Sequence, residues 1–233
     1  MATESSTMSV GKIILTFIYI LLFPILLLVL SGDVFWIEGW IFSLWFCVLC
    51  FSTIIHLYRT DPALLTERYR RPGTGSQKIW DKYVVYALLI GFTAWIVIMP
   101  LDAKRYGWTG HFAIWIQIMG GILLLISFIF FYRSYSDNTY ASPLVRMQKE
   151  RKHQVVSTGL YGIVRHPMYL GALLLFLGTP MLLSSIYGLI VGLMNVGTIM
   201  MRIVGEEKML MNELDGYEDY TRKVRYRLIP FIW

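Results

Sequence analysis

The chain has 233 residues, of which 56% are hydrophobic and only 15% charged, with a mean hydropathy of +0.57. Soluble domains carry roughly a quarter charged residues, so a soluble globule is excluded. The net charge of +6 sits between the apolar runs, where lipid headgroups and membrane orientation account for it and nucleic-acid binding is not implied.

The apolar residues fall in runs of about 16 to 22, the length with which a helix rising about 1.5 Å per residue crosses roughly 30 Å of hydrocarbon. This predicts an all-α, polytopic membrane protein. The first run, Ile13–Leu30, is longer than a signal-peptide core and lacks a small-x-small cleavage site, so it reads as a retained span. The second, Gly39–Tyr58, contains Cys47 and Cys50. With no further thiol and no flanking turn, these are core filler, and no metal site is expected. Tyr83–Leu101 and His111–Tyr132 follow as the third and fourth spans. Met168 to Met201 is 34 residues, about 50 Å as one helix, and Gly178, Pro180, Ser184, Ser185 and Gly188 interrupt it. A hairpin of two short helices of about 16 residues is predicted, making about six transmembrane helices. Asn195 and His56, the polar residues nearest the midplane, are expected to be packed and hydrogen-bonded at helix contacts.

Lys and Arg set the orientation. Six lie in 59–82, six in 133–165 and six in 202–227, against only Lys104 and Arg105 in the alternate connections. The positive-inside rule then predicts that the N-terminus, both basic loops and the C-terminal tail are cytoplasmic. Arg70 to Gln77, with Pro72, Gly73 and Gly75, reads as a flexible loop.

Polar chemistry concentrates in the last third. After His153-Gln154-Val155-Val156, Thr158-Gly159 reads as a turn before Tyr161, and Pro167 suits the first turn of a helix, placing His166 at its N-terminus. Taken singly, Arg165 and His166 read as interfacial anchors and Tyr169 as an aromatic-belt residue. Arg202 and Glu206 are four apart and share a helix face, as an exposed ion pair would. Emerging from an apolar span with Glu207, they are costly unless they face a wet cavity or a polar ligand. Tyr217 and Tyr220 follow, and Arg225, Arg227 and Trp233 read by default as a membrane-surface anchor.

The pattern Thr-Gly-x-Tyr, Arg-His-Pro-x-Tyr-x-Gly, a hairpin of about thirty apolar residues, Arg-x-x-x-Glu-Glu and Gly-x-x-x-Tyr resembles the isoprenylcysteine carboxyl methyltransferase family of integral-membrane enzymes. The resemblance covers about 85 residues, from Gln148 to Trp233. Arg-His-Pro-x-Tyr is also similar to parts of sterol reductases and phospholipid N-methyltransferases, and Glu206-Glu207 with Leu210 and Tyr217 to Tyr220 narrows it. Two regions are expected. Residues 1–145, of which the resemblance says nothing specific, carry transmembrane helices 1–4 and the cytoplasmic loop 59–82. Residues 146–233 are the methyltransferase region, with a cofactor-binding loop, the hairpin 168–201 and a C-terminal cytoplasmic segment. The resemblance implies a cytoplasm-facing pocket for S-adenosylmethionine and a tunnel from the bilayer for a lipophilic methyl acceptor. By position, the cofactor contacts are Gln148, His153, Gln154, Val155, Val156, Tyr161, His166, Pro167, Met168, Tyr169 and Glu206. Arg202 falls where the family places a residue next to the acceptor.

The residue chemistry is compatible with those roles. Backbone N–H groups near His166 suit an anion, Glu206 an ammonium or ribose hydroxyls, and Tyr161 and Tyr169 an adenine face or a sulfonium. Arg202 is the expected clamp for an acceptor carboxylate, and such an acceptor needs no base. An amine acceptor, as in phospholipid N-methylation, would need one, for which Glu207 is the candidate. An NADPH-dependent sterol-type reductase is the remaining enzymatic alternative. A non-enzymatic lipid carrier would instead show ionisable residues at the midplane, which spans one to four almost lack.

Overall fold

The computed structural model describes residues 10–233; the polar N-terminus whose side of the membrane was predicted above lies outside the described residues. Five helices are long and apolar enough to cross a membrane: α1 (Val10–Ser31), α2 (Ile37–Thr60), α4 (Ile79–Pro100), α5 (Ile114–Asp137) and α7 (Ile186–Glu213). The sixth, α6 (Pro167–Leu183), has 17 residues, about 26 Å, and forms the predicted hairpin with α7. Two short helices lie outside the spans, α3 (Pro62–Arg68) and α8 (Tyr217–Lys223), and among the described residues there is no strand. Trp115, Ile118, Ile122, Leu125 and Ile129 of α5 are exposed at three- and four-residue spacing. Such a stripe would be untenable in water, and it is the surface that meets lipid tails.

Two details of the hairpin depart from the prediction. Only Ser184 and Ser185 interrupt it: Ser184 takes φ +62°, and Ser185 caps α7 by accepting from Gly188 N. Gly178 and Pro180 stay inside α6, where Gly178 serves packing. A Cβ on it would lie 2.8 Å from the Gly120 carbonyl oxygen, so α5 and α6 meet backbone to backbone. The second arm also runs to Glu213, 28 residues rather than about 16, because nothing after Gly205 breaks it before Asp215-Gly216. Arg202, Glu206 and Glu207 therefore lie within α7 and not at its end.

The other contacts follow the expected chemistry. Asn195 donates to the Val191 carbonyl and packs where α4 has Gly91, and His56 pairs with Ser136 at 3.1 Å between α2 and α5. Beyond Pro100, α4 widens into a π turn, Leu101–Arg105, that turns Asp102 inward. Its carboxylate accepts from Thr109 and from Ser185 Oγ at 2.6 Å, tying α4 to the hairpin turn. The connections 32–36, 101–113 and 184–185 thus share one end of the bundle.

The basic connections share the other end. Asp61 caps α3 by accepting from Leu64 N, with Pro62 in the first turn. Glu67 of α3 receives both prongs of Arg146 at 2.8 and 2.7 Å, Arg70 at 2.6 Å and Ser142 at 2.8 Å. Burial opposes ionisation there, but these donors outweigh it and hold the Glu67 carboxyl down at about 2. At the start of α4, Asp81 is wholly buried and accepts from Gln77, Val145 N and Arg202. The loop 70–77 is irregular, as its composition suggests, and Gln77 pins it to Asp81.

Candidate functional site

At this basic end, residues 138–169 and the last turns of α7 enclose a narrow polar cleft of about 90 Å³. Gln148, His153, Gln154, Val155, Val156, Tyr161, His166, Met168, Tyr169 and Glu206 all line it, joined by Met209, Leu210, Leu214, Tyr217 and Tyr220. Pro167, Arg202 and Glu207 are absent from the lining. Pro167 opens α6 beneath His166.

Glu207 is the hub of a buried ion cluster. One oxygen accepts from Arg165 Nε at 2.6 Å and faces His166 Nε2 at 3.2 Å, and the other accepts from Arg227 Nε at 2.7 Å. Both oxygens are engaged, which corrects its reading as an available base. Arg165 also donates to the Val224 and Arg225 carbonyls, while the backbone N–H groups of Arg165 and His166 donate to Tyr226 and Arg227. The C-terminal segment is thereby fastened across the start of α6. Arg165 and His166 are buried participants, not interfacial anchors, and Arg227 folds inward over the Trp233 ring at 5.1 Å.

Arg202 makes no ion pair with Glu206. Its Nε donates to Asp81 at 2.8 Å and its Nη2 to the Pro143 carbonyl at 2.7 Å, with the guanidinium 5.8 Å from the Tyr169 ring centre. Sequence spacing favoured Glu206 because it is four residues away, whereas Asp81 is 121 residues away and closer in space. Glu206 accepts from the Tyr169 hydroxyl at 2.6 Å and forms no ion pair among the described residues. It is thus a carboxylate on the cleft wall with no cation at ion-pair distance among the described residues.

The opposite wall is built on Gln148, whose amide donates to the Tyr140 carbonyl and accepts from Arg151 at 2.8 Å. His153 lies against the Tyr140 ring, with centroids 4.5 Å apart, and its Nδ1 is buried without a partner. Burial, helped by Arg151 and Arg146, pushes His153 down to about 4, so the ring is neutral at physiological pH. Burial likewise raises Tyr161, Tyr217 and Tyr220, which keep their protons. Residues 154–157 make no hydrogen bond among the described residues, and Gln154, Val155 and Val156 line the cleft. Glu67, Asp81 and Arg146 complete the site's frame and carried no motif. The available signal was an acid at the start of an apolar span, which needs a cation partner.

A second cavity, about 450 Å³ and almost wholly apolar, lies within the spans between α1, α2, α4, α5 and α6. Phe42, Trp45, Phe92, Trp95 and Phe131 line it, and Arg68, Tyr69 and Tyr135 sit at its basic end.

The sequence profile of the family described as phospholipid methyltransferase matches residues 115–217, which include α5, most of the cleft and the hairpin. Similar proteins include a protein-S-isoprenylcysteine O-methyltransferase B of Arabidopsis thaliana, 27% identical over 164 residues, covering 68% of this chain and 79% of that protein. A protein-S-isoprenylcysteine O-methyltransferase of Schizosaccharomyces pombe is 26% identical over 192 residues, 75% of this chain and 80% of its own length. One from Saccharomyces cerevisiae is 37% identical over 93 residues, 39% of this chain and 38% of its own. With the matched region forming the cleft and six apolar helices carrying it, the chain is similar to the protein-S-isoprenylcysteine O-methyltransferases and is a multi-pass membrane methyltransferase.

Proposed function

We propose that the cleft binds S-adenosylmethionine and that the enzyme methylates the carboxylate of an isoprenylcysteine-like acceptor held among the spans. The observation that carries this reading is Glu206: a carboxylate beside the Tyr169 hydroxyl, with no cation at ion-pair distance among the described residues, in a cleft whose arginines already have carboxylates. The donor set fits the cofactor. Glu206 suits its ammonium or ribose hydroxyls, the orphaned His153 Nδ1 is a ready polar partner, and Tyr161 and Tyr169 offer aromatic faces. At about 90 Å³ the cleft is narrower than the roughly 300–1,000 Å³ of small-molecule sites, so binding requires a wall to part. The segment 154–156, which makes no hydrogen bond among the described residues, is the wall suited to do so.

When bound, S-adenosylmethionine supplies an electrophilic methyl group on sulfur. The protein's own contribution is to align the acceptor and exclude water. A carboxylate acceptor needs no base, which agrees with a site in which Glu207 is fully engaged. Arg202 acts as a positioning residue that holds Asp81 and underlies Tyr169. NADPH is disfavoured, because Arg146 and Arg165, the arginines on the cleft wall, are committed to Glu67 and Glu207. The phospholipid methyltransferase profile favours an amine acceptor as the second reading.

Residues 146–233 supply most of the cofactor side, completed by residues 138–145, residues 1–145 supply most of the acceptor side, and both termini are cytoplasmic. Labelled S-adenosylmethionine incubated with purified enzyme tests the activity. Label in a base-labile methyl ester of a prenyl thioether acid is expected, and label only in ethanolamine phospholipid would overturn the carboxylate reading.

A further inference from the structure

Arg68 stands apart from the other arginines around the two cavities. Arg146 and Arg165, on the cleft wall, are buried against Glu67 and Glu207, and Arg202, beneath it, is held by Asp81. Arg68 lies at the basic end of the apolar cavity and makes no ion pair among the described residues. Its guanidinium rests 4.7 Å over the Tyr135 ring, and its Nη1 reaches only the Ala141 carbonyl at 3.4 Å and Met168 Sδ at 4.0 Å. Those contacts are long, and neither partner is charged. Ala141 and Met168 both line the polar cleft, so Arg68 stands where the cavity and the cleft adjoin. A half-buried guanidinium at the mouth of an apolar cavity is expensive without an anion, and its planar fork matches a carboxylate in two-pronged fashion.

We propose that Arg68, rather than Arg202, receives the carboxylate of the acceptor whose hydrocarbon chain lies in the apolar cavity. This rests on the carboxyl methyltransferase reading above and deepens it by naming the residue that holds and selects the acid. An ammonium head group would be repelled at the same position. The chain would lie against Phe42, Trp95 and Phe131, and Thr53 is on the same wall.

The test is equilibrium binding of the farnesyl thioether of propanoic acid, and of its methyl ester, to the detergent-purified full-length chain. The wild type is expected to bind the acid at least tenfold more tightly than the ester, about 1.4 kcal/mol. Arg68→Gln should abolish that preference while keeping the ester affinity, and Thr53→Trp, which fills the cavity, should weaken both. An acid preference that survives Arg68→Gln, or a wild type with no acid preference, would overturn the proposal. S-adenosylmethionine binding is measured on the same preparations. Its loss in the wild type would defeat the cofactor reading and leave the acid-to-ester comparison intact.

Discussion

The polar cleft and the apolar cavity lie side by side and are built by opposite means. The cleft is made of groups whose positions are fixed by reciprocal bonds: Arg165, His166 and Arg227 on Glu207, Arg151 on Gln148, and Tyr169 on Glu206. The cavity is walled by bulky rings from several helices, with few bonds among them. Recognition of a polar molecule demands particular atoms at particular places, and this leaves a spaced motif in the sequence. An apolar volume can be enclosed by many combinations of large side chains, and it leaves none.

That contrast is sharpest where charge is buried. Glu207→Gln should have the largest effect, because Arg165 and Arg227 then lose their shared anion; breaking a buried pair costs about 3–5 kcal/mol. Thermal unfolding in detergent should show it, together with loss of cofactor binding as the C-terminal segment comes free. Next comes the pair Arg202 and Asp81. Asp81→Asn and Arg202→Gln should each destabilise the protein, and the double variant by less than their sum, with a coupling of about 0.5–3 kcal/mol. Additive losses would contradict the pairing. Glu206→Gln should leave stability nearly unchanged but weaken S-adenosylmethionine binding about tenfold, or 1.4 kcal/mol, without altering acceptor binding. The last effect vanishes at neutral pH and grows only in acid. The His153 pKa is lowered to about 4 from 6.5, so the unfolded chain takes up the proton first. Stability is full above about pH 6.5 and declines as pH falls towards 4, and His153→Phe should remove that part of the acid sensitivity.

Much of the architecture was legible because it follows from lengths. A run of 34 residues cannot cross once, and the hairpin with its Ser184-Ser185 turn is the outcome. Its inner detail was not legible, since glycine and proline can break a helix or serve packing within it. Gly178 does the latter, facing Gly120, and Pro180 remains inside α6. The cleft's lining could be read from the motif, but the partners of its charges could not. Arg202 answers Asp81, Arg146 answers Glu67 and Glu207 answers Arg165, pairings made by tertiary contact across separations of 121, 79 and 42 residues. Arg68 escaped notice for the same reason, since nothing beside it in sequence shows that it stands between two cavities.

The most direct test of the cleft is equilibrium binding of labelled S-adenosylmethionine to the wild type, Glu206→Gln and Thr53→Trp, with NADPH as competitor. The account predicts saturable binding by the wild type that NADPH does not displace, about tenfold weaker in Glu206→Gln and unchanged in Thr53→Trp. Displacement by NADPH, or equal affinity in the wild type and Glu206→Gln, would contradict it.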